Sequence, residues 1–121
     1  MSERVRFIEH AGKKILFIDF TNCSHDEGMH LLADIQATVE EQPRGSLLIF
    51  ADFHGAQFDR QIATRIKEVL VFDRPYVKRS AWIGTETVPH VFYENFKRFS
   101  QRELPIFASR EEALAWLVQE D

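Results

Sequence analysis

The hydrophobic and polar positions of this chain predict an opening pair of strands, followed by alternating helices and strands. β-Branched and aromatic residues dominate residues 5–8 and 15–20, which is typical of strands. Gly12 and Lys13 lie between these two stretches and favour a hairpin turn. The sheet is therefore predicted to begin with an antiparallel pair of strands.

A first helix is predicted over about residues 25–41. Ser24 and Glu27 have the spacing of a capping box, in which the Ser24 hydroxyl accepts from the Glu27 amide. Apolar residues then recur at helical spacing, at Leu31, Leu32, Ile35 and Val39. Pro43 ends the predicted helix, because proline does not continue a helix.

A central strand and a second helix follow. Residues 47–52 are apolar without alternation, as expected of a strand that is covered on both faces. Asp59 is placed to cap the next helix, and Pro75 ends it. The inner face of this helix is predicted to consist of Ile62, Ile66, Val69 and Leu70.

The last third of the chain predicts two more strands and two more helices. A strand over residues 77–84 precedes a helix that Thr85 or Thr87 would cap. The predicted inner face of that helix consists of Val88, Phe92, Phe96 and Phe99. Residues 104–107 form a short fifth strand in this interpretation, and Ser109 opens the last helix. The fold class is thus α/β, with a mixed, mostly parallel five-stranded sheet, its first strand antiparallel, and about four helices.

Composition narrows the class of protein. A chain of 121 residues with 45% hydrophobic residues suits one domain over residues 1–121. The net charge of −4 provides no global basic field, so no nucleic-acid partner is predicted. No apolar run approaches the roughly 20 residues of a membrane span. The start of the sequence also lacks the apolar core of a signal peptide, so we expect a soluble, cytoplasmic protein. The lone cysteine, Cys23, cannot form an internal disulfide, which agrees with a reducing compartment.

Several segments together resemble one protein family. They are the turn Asp52-Phe53-His54-Gly55, the stretch 77–84, and the closing pattern Phe-x-Ser-x-Glu-Glu-Ala-x-x-Trp-Leu over residues 107–117. On these segments the chain resembles the SpoIIAA-like branch of the STAS/SEC14 superfamily, whose STAS domains include the bacterial anti-sigma-factor antagonists. The resemblance implies a single STAS-type α/β domain.

The same resemblance implies a regulatory function without the usual phosphorylation switch. In the antagonists the corresponding turn reads Asp-Ser-Ser-Gly, and a kinase phosphorylates the second serine. This chain has Phe53 and His54 at those positions, so the hydroxyl that would receive phosphate is missing. The expectation is a non-catalytic regulatory or protein-interaction domain.

The candidate partner- or ligand-binding residues follow the predicted third and fourth strands. They are Asp52, Phe53, His54, Gly55, Phe58 and Thr85. Loops at the carboxyl edge of the sheet in α/β proteins commonly bind ligands, and a helix N-terminus at that edge favours an anion. The alternative is plain turn chemistry around Gly55. Phe53 and Phe58 are predicted to be either exposed contact residues or part of the core.

No cofactor, metal or catalytic centre is predicted. Residues whose side chains could coordinate a metal ion do follow the strands, namely Cys23, His25, Asp26, Asp52, His54, Glu86 and His90. Their spacing matches no metal-binding signature, and the chain has neither a Gly-rich phosphate loop nor a nucleophile motif. Basic residues lie near strand starts or at a helix end: Arg74, Lys78, Arg79, Lys97, Arg98 and Arg102. The helix dipole gives Lys97, Arg98 and Arg102 a structural explanation, and phosphate binding is the alternative.

Two functions remain open at this point. The first is the non-catalytic regulatory or protein-interaction domain, which would act through the Asp52–Phe58 loop. The alternative is a carrier or sensor that binds a small apolar or anionic ligand in a crevice at the carboxyl edge of the sheet. The 11 phenylalanines also make a homodimer a reasonable expectation.

Overall fold

The computed structural model describes residues 3–119, and within them the chain folds as an α/β domain. Two strands open it: β1 (Val5–His10) and β2 (Lys13–Asp19). The elements that follow are α1 (His25–Val39), β3 (Leu47–Asp52), α2 (Arg60–Asp73), β4 (Val77–Ile83), a 3-10 turn (Thr85–Thr87), α3 (His90–Ser100) and α4 (Arg110–Leu117). The predicted hairpin, four helices and central strand are therefore confirmed in this part of the chain.

The sheet has the order β1-β2-β3-β4. β1 pairs antiparallel with β2, whereas β2 with β3 and β3 with β4 pair in parallel. Ala11 and Gly12 both have positive φ, at 52° and 78°, which is the backbone of a tight hairpin turn. The prediction that only the first strand is antiparallel is confirmed.

The predicted fifth strand at residues 104–107 is wrong. In the described residues this segment makes only an isolated parallel bridge between Trp82 and Ile106. Trp82 donates to the Pro105 carbonyl at 3.0 Å, and Phe107 donates back to Trp82 at 2.8 Å. Pro105 has no N–H with which to extend this ladder along β4. Four strands thus make up the sheet of residues 3–119, not five.

Helices cover both faces of the sheet. α1 packs on α2 and α2 on α3, and their apolar sides share one core with Ile18, Ile49 and Trp82 of the strands. α4 packs on the opposite face, where Ala113 and Leu117 join a second apolar cluster. Residues 47–51 of β3 are buried throughout, as expected of a strand between two layers of helices. No helix among the described residues has the length and apolarity that crossing a membrane requires.

The start and the inner face of α3 differ from the prediction. Thr85 and Thr87 lie in the separate 3-10 turn and do not cap α3. The N-cap of α3 is Pro89, and no side chain of the described residues forms a capping hydrogen bond there. Phe96 is fully buried, but Phe99 is 61% exposed. The buried positions of α3 are Phe96 and Ser100, which are four residues apart, and Phe92 packs partly buried against the same core, as predicted. Phe99 is turned outward beside Lys67.

Candidate functional site

The three parallel strands end at one edge of the sheet, and the segments after them remain hydrogen-bonded to each other. Phe20 donates to the Asp52 carbonyl at 2.8 Å, and Phe53 donates to the Ile83 carbonyl at 3.0 Å. Asn22 donates to the His54 carbonyl at 2.8 Å. Thr85 follows β4 at this edge. The structure therefore brings the loops that follow β2, β3 and β4 together as one surface.

The Asp52–Gly55 turn is held by its own side chains. Oδ1 of Asp52 accepts from the His54 amide at 3.1 Å and lies 2.6 Å from His54 Nδ1. Because a carboxylate only accepts, Nδ1 carries the ring proton here. Gly55 has a φ of +70°, and a Cβ there would clash with the side-chain oxygen of Asn22. The positive φ favours glycine at this position, and any other residue would also require the Asn22 side chain to move.

His54 lies between two carboxylates on the exposed surface. Its side chain is 55% exposed, and its Nε2 is 3.9 Å from Oε1 of Glu86. With Asp52 on the other ring nitrogen, the surroundings of His54 attract cations rather than anions. This is the opposite of the anion site that the helix terminus suggested from the sequence.

The N-terminus of α2 already binds a carboxylate of the protein. Asp59 caps this helix, and its Oδ1 accepts from the Ile62 amide at 2.8 Å. Its Oδ2 lies 2.6 Å from His25 Nδ1. The hydrogen bond from Ile62 and the contact with His25 lower the pKa of Asp59 below its ordinary value. An external anion would have to displace this internal one.

Phe53 does not lie on the surface. It is 2% exposed, and its ring stacks on Phe20 and contacts Trp82 at centroid distances of 4.7 and 4.6 Å. Phe58 is partly buried against the same core, with its centroid 5.9 Å from that of Phe53. The interpretation of Phe53 and Phe58 as an exposed pair is therefore wrong. Ile49, Ala51 and Phe53 share one face because the alternation of β3 continues one residue past the strand.

The residues with metal-ligand chemistry separate into different contacts. His25 pairs with Asp59, His54 with Asp52, and His90 with Glu94. Cys23 is buried, which raises the pKa of its thiol. Across residues 3–119 no group of three or more histidine, cysteine, aspartate and glutamate side chains has the geometry to hold a metal ion.

A cavity of about 40 Å³ lies in the interior, between the sheet and helices α1 and α2. Most of its lining is apolar and comes from β2, β3, β4, α1 and α2, including Ile35, Ala51 and Val69. Its polar lining consists of Asp73, Ser80 and Arg102. We call this space the interior cavity.

Asp73 is the last residue of α2 and is 3% exposed. Its Oδ1 has no hydrogen-bond partner among the described residues. Burial raises the pKa of Asp73 from 3.8 to about 7, although the nearby charges of Arg102 and Arg65 act in the opposite direction. A carboxyl group that holds its proton near neutral pH therefore faces the interior cavity.

Arg102 contributes the opposite charge. Its Nη2 donates to Ser80 Oγ at 2.6 Å, and its Nη1 donates to the Leu70 carbonyl at 3.2 Å. Burial lowers the pKa of Arg102 to about 10, so it remains a cation at neutral pH. Ser80 itself is 3% exposed. Sequence reasoning missed this group, although an aspartate on the apolar stripe of α2 was a visible signal.

An outer groove adjoins the interior cavity. It has a volume of about 410 Å³, and Ser80 and Arg102 line both spaces. The other residues of the outer groove are Arg74, Val77, Lys78, Arg79, Glu103 and Trp116. Of the described residues that line the outer groove, four are basic and one is acidic.

Comparison of the chain with protein-family models, with curated proteins and with solved structures yields no match.

We expect that an anti-sigma-type Ser/Thr kinase does not phosphorylate the Asp52–Gly55 turn, because neither Phe53 nor His54 carries a hydroxyl. The measurement is phosphopeptide mapping by mass spectrometry after kinase treatment, with the kinase's own antagonist as positive control. A phosphate on His54 would contradict the broader claim that this turn is not a phosphorylation switch.

Proposed function

We propose that this chain is a non-catalytic regulatory domain of STAS type that senses or carries a small ligand in the interior cavity. The observation that carries the proposal is the carboxyl group of Asp73, which is buried, lines an apolar cavity and has an unpartnered oxygen within the described part of the chain. A ligand with a hydrogen-bonding group would supply the missing partner.

The energetics of Asp73 favour a binding role. A buried polar group without a partner costs about 1–3 kcal/mol of stability. A carboxyl group at the C-terminal end of a helix is also on the unfavourable side of the helix dipole. An aliphatic residue at this position of α2 would reduce the stability of the fold less than Asp73 does. A group that destabilises the free protein and lines a cavity is typical of a binding site.

The interior, rather than the Asp52–Phe58 loop, supports binding of a small molecule. Phe53 is part of the core, so this loop lacks the pair of exposed aromatic anchors that a protein contact would use. A non-catalytic role is supported by Cys23, since a buried thiol with a raised pKa is a poor nucleophile.

A second candidate, a protein-interaction surface, is favoured by one observation at the carboxyl edge of the sheet. Asp52, His54 and Glu86 form a mainly acidic group there, in which His54 and Glu86 are exposed and Asp52 is partly buried. Its partner would be a basic protein segment, because an acidic surface attracts lysine and arginine. This candidate requires no cavity and is compatible with the first one.

The ligand-binding proposal is tested by methyl NMR of the purified chain. Butyrate, 1-butanol, butylamine and xenon are titrated separately, and the shifts of the methyl groups of Ile35, Val69 and Leu70 are followed. We expect saturable shifts of these methyl groups with at least one probe. If none of the four probes shifts them, the proposal is wrong.

The matched control is Ala51→Val, which adds two methyl groups to a residue lining the cavity. Valine is well suited to a central strand, so the fold should be retained. We expect the shifts that a probe causes in the original chain to disappear in this variant. Shifts that persist in Ala51→Val would place the probe outside the interior cavity and contradict the proposal.

A further inference from the structure

We infer that the ligand of the interior cavity is a short-chain monocarboxylate of two to four carbons. Its carboxylate binds Arg102 and Ser80 and accepts a hydrogen bond from the O–H of the Asp73 carboxyl group. This inference rests on the proposed function and names its ligand class. The alkyl part of the ligand would lie among the apolar side chains of the sheet and of α1 and α2.

Arg102 provides the main attraction for a carboxylate. A guanidinium has five N–H donors, and the two hydrogen bonds of Arg102 go to the neutral oxygens of Ser80 and Leu70. Among residues 3–119 no carboxylate forms an ion pair with Arg102, and the carboxyl group of Asp73 is largely protonated below neutral pH. Arginine binds carboxylates with two parallel hydrogen bonds, so a ligand carboxylate fits its remaining donors.

Asp73 makes the binding dependent on protons. When protonated, Asp73 donates its O–H to the ligand, and when ionised it repels the ligand carboxylate. The charged groups that act on Asp73 are Arg102, which follows α3, and Arg65, on its own helix. The lining contributed by β2, β3, β4 and α1 is apolar except for Ser80. Protonation of Asp73 is therefore the step that removes the negative charge opposing the ligand.

The outer groove favours an anion over a cation. Within the part of the chain that the structure describes, its lining has four basic side chains, Arg74, Lys78, Arg79 and Arg102, and the acidic side chain of Glu103. A cleft lined mainly by one sign of charge raises the local concentration of ions of the opposite sign. Because Ser80 and Arg102 belong to both spaces, a carboxylate in the outer groove meets the same two side chains that face the interior cavity.

The size of the interior cavity limits the length of the ligand. Its volume is about 40 Å³. In this measure one water molecule needs roughly 10–15 Å³, so the cavity holds about three or four small atoms without rearrangement. Acetate matches that size, whereas propionate and butyrate are one and two carbons longer and require lining side chains to move. A longer chain requires the core to open further.

The test is a methyl NMR titration with sodium propionate at pH 6 and pH 8, with 1-propanol and propylamine as probes of matched size. Propionate is ionised at both pH values, so a change in its affinity reports on the protein. We expect propionate to bind about tenfold more tightly at pH 6, because a group with a pKa of about 7 is mostly protonated there. Hexanoate should bind more weakly than propionate at both pH values.

Three variants assign the roles of Asp73, Arg102 and Ser80. In Asp73→Asn the amide still donates a hydrogen bond, so propionate should bind with an affinity that no longer changes between pH 6 and pH 8. In Arg102→Gln we expect at least a tenfold loss of propionate affinity and little change for propanol. Ser80→Ala, a milder change at the same end of the cavity, should weaken propionate binding and keeps the test valid if Arg102→Gln fails to fold.

The outcomes separate this inference from the function on which it rests. If propanol or propylamine shifts the cavity methyl groups and propionate does not, the monocarboxylate is wrong and the ligand-binding function stands. If propionate binds equally at pH 6 and pH 8, the role of Asp73 is wrong. If no probe of any charge binds, both the inference and the proposed function are wrong.

Discussion

Phe53→Ala is expected to lower the free energy of unfolding by about 3–5 kcal/mol, the range for truncating a buried phenylalanine to alanine. Phe53 is 2% exposed, and its ring contacts those of Phe20, Phe58 and Trp82. Truncation would remove the contacts with these three rings and leave a void beside the interior cavity. Urea unfolding followed by circular dichroism measures the loss.

Phe99→Ala is the matched control for this prediction. Phe99 is also a phenylalanine at the end of an element, but it is 61% exposed. Its truncation should change the free energy of unfolding by no more than about 0.5 kcal/mol, as for other surface substitutions. A loss for Phe53→Ala as small as that for Phe99→Ala would mean that the Phe53 ring is not in the core, and would restore the contact-surface hypothesis.

Asp73→Asn is expected to stabilise the protein at pH 8 and to have little effect near pH 4. The pKa of Asp73 is 3.8 in an unperturbed setting and about 7 in the folded chain. At pH values between these two pKa values, Asp73 binds more protons in the folded state than in the unfolded state. The stability that Asp73 contributes therefore falls as the pH rises. Asparagine resembles the protonated acid but does not ionise, which removes this loss.

The magnitude follows from the size of the shift. A difference of about three pKa units corresponds to a change on the order of 4 kcal/mol between pH 4 and pH 8. The contribution is complete below pH 4 and constant above about pH 8, because both states then have the same charge at this site. Unfolding free energies at pH 4, 6 and 8, compared between the variant and the original chain, give the contribution of Asp73 separately from all other titrating groups.

Asp34→Asn on α1 is the control for Asp73→Asn. It makes the same chemical change at a partly exposed position, and it leaves the buried carboxyl group in place. The decrease in stability between pH 4 and pH 8 that Asp73 causes should therefore persist in Asp34→Asn. If Asp73→Asn shows the same decrease as the original chain, Asp73 is ionised throughout this range and its burial does not control its charge.

The candidate site could be predicted from the sequence only in part. Asp52, His54, Gly55 and Thr85 do lie at one edge of the sheet, because strands that run in parallel end together. The acidic surroundings of His54 were not predictable, since Glu86 follows a different strand and is distant in sequence from Asp52. The capping role of Asp59 was predicted, but its consequence for anion binding became clear only from its contact with His25.

The interior cavity lay beyond sequence reasoning. Ser80 and Arg102 are 22 residues apart, and Leu70 and Arg102 are 32 residues apart. Their meeting depends on how the segment after α3 packs against β4 and the end of α2. No local periodicity encodes such packing, and a cavity is a property of side chains from several elements at once.

The sequence by itself determined the elements whose signals are local. Ser24, Asp59 and Ser109 each cap a helix by accepting from the backbone amide three residues later, and this needs only neighbouring residues. The apolar run of β3 determined its central place, because its residues are buried on both faces. Tertiary structure alone decided that Phe53 lies in the core, that residues 104–107 form a single bridge, and that Asp73 faces a cavity beside Arg102. Each of these depends on contacts between distant segments, whose free energies outweigh the local preferences that a sequence pattern reports.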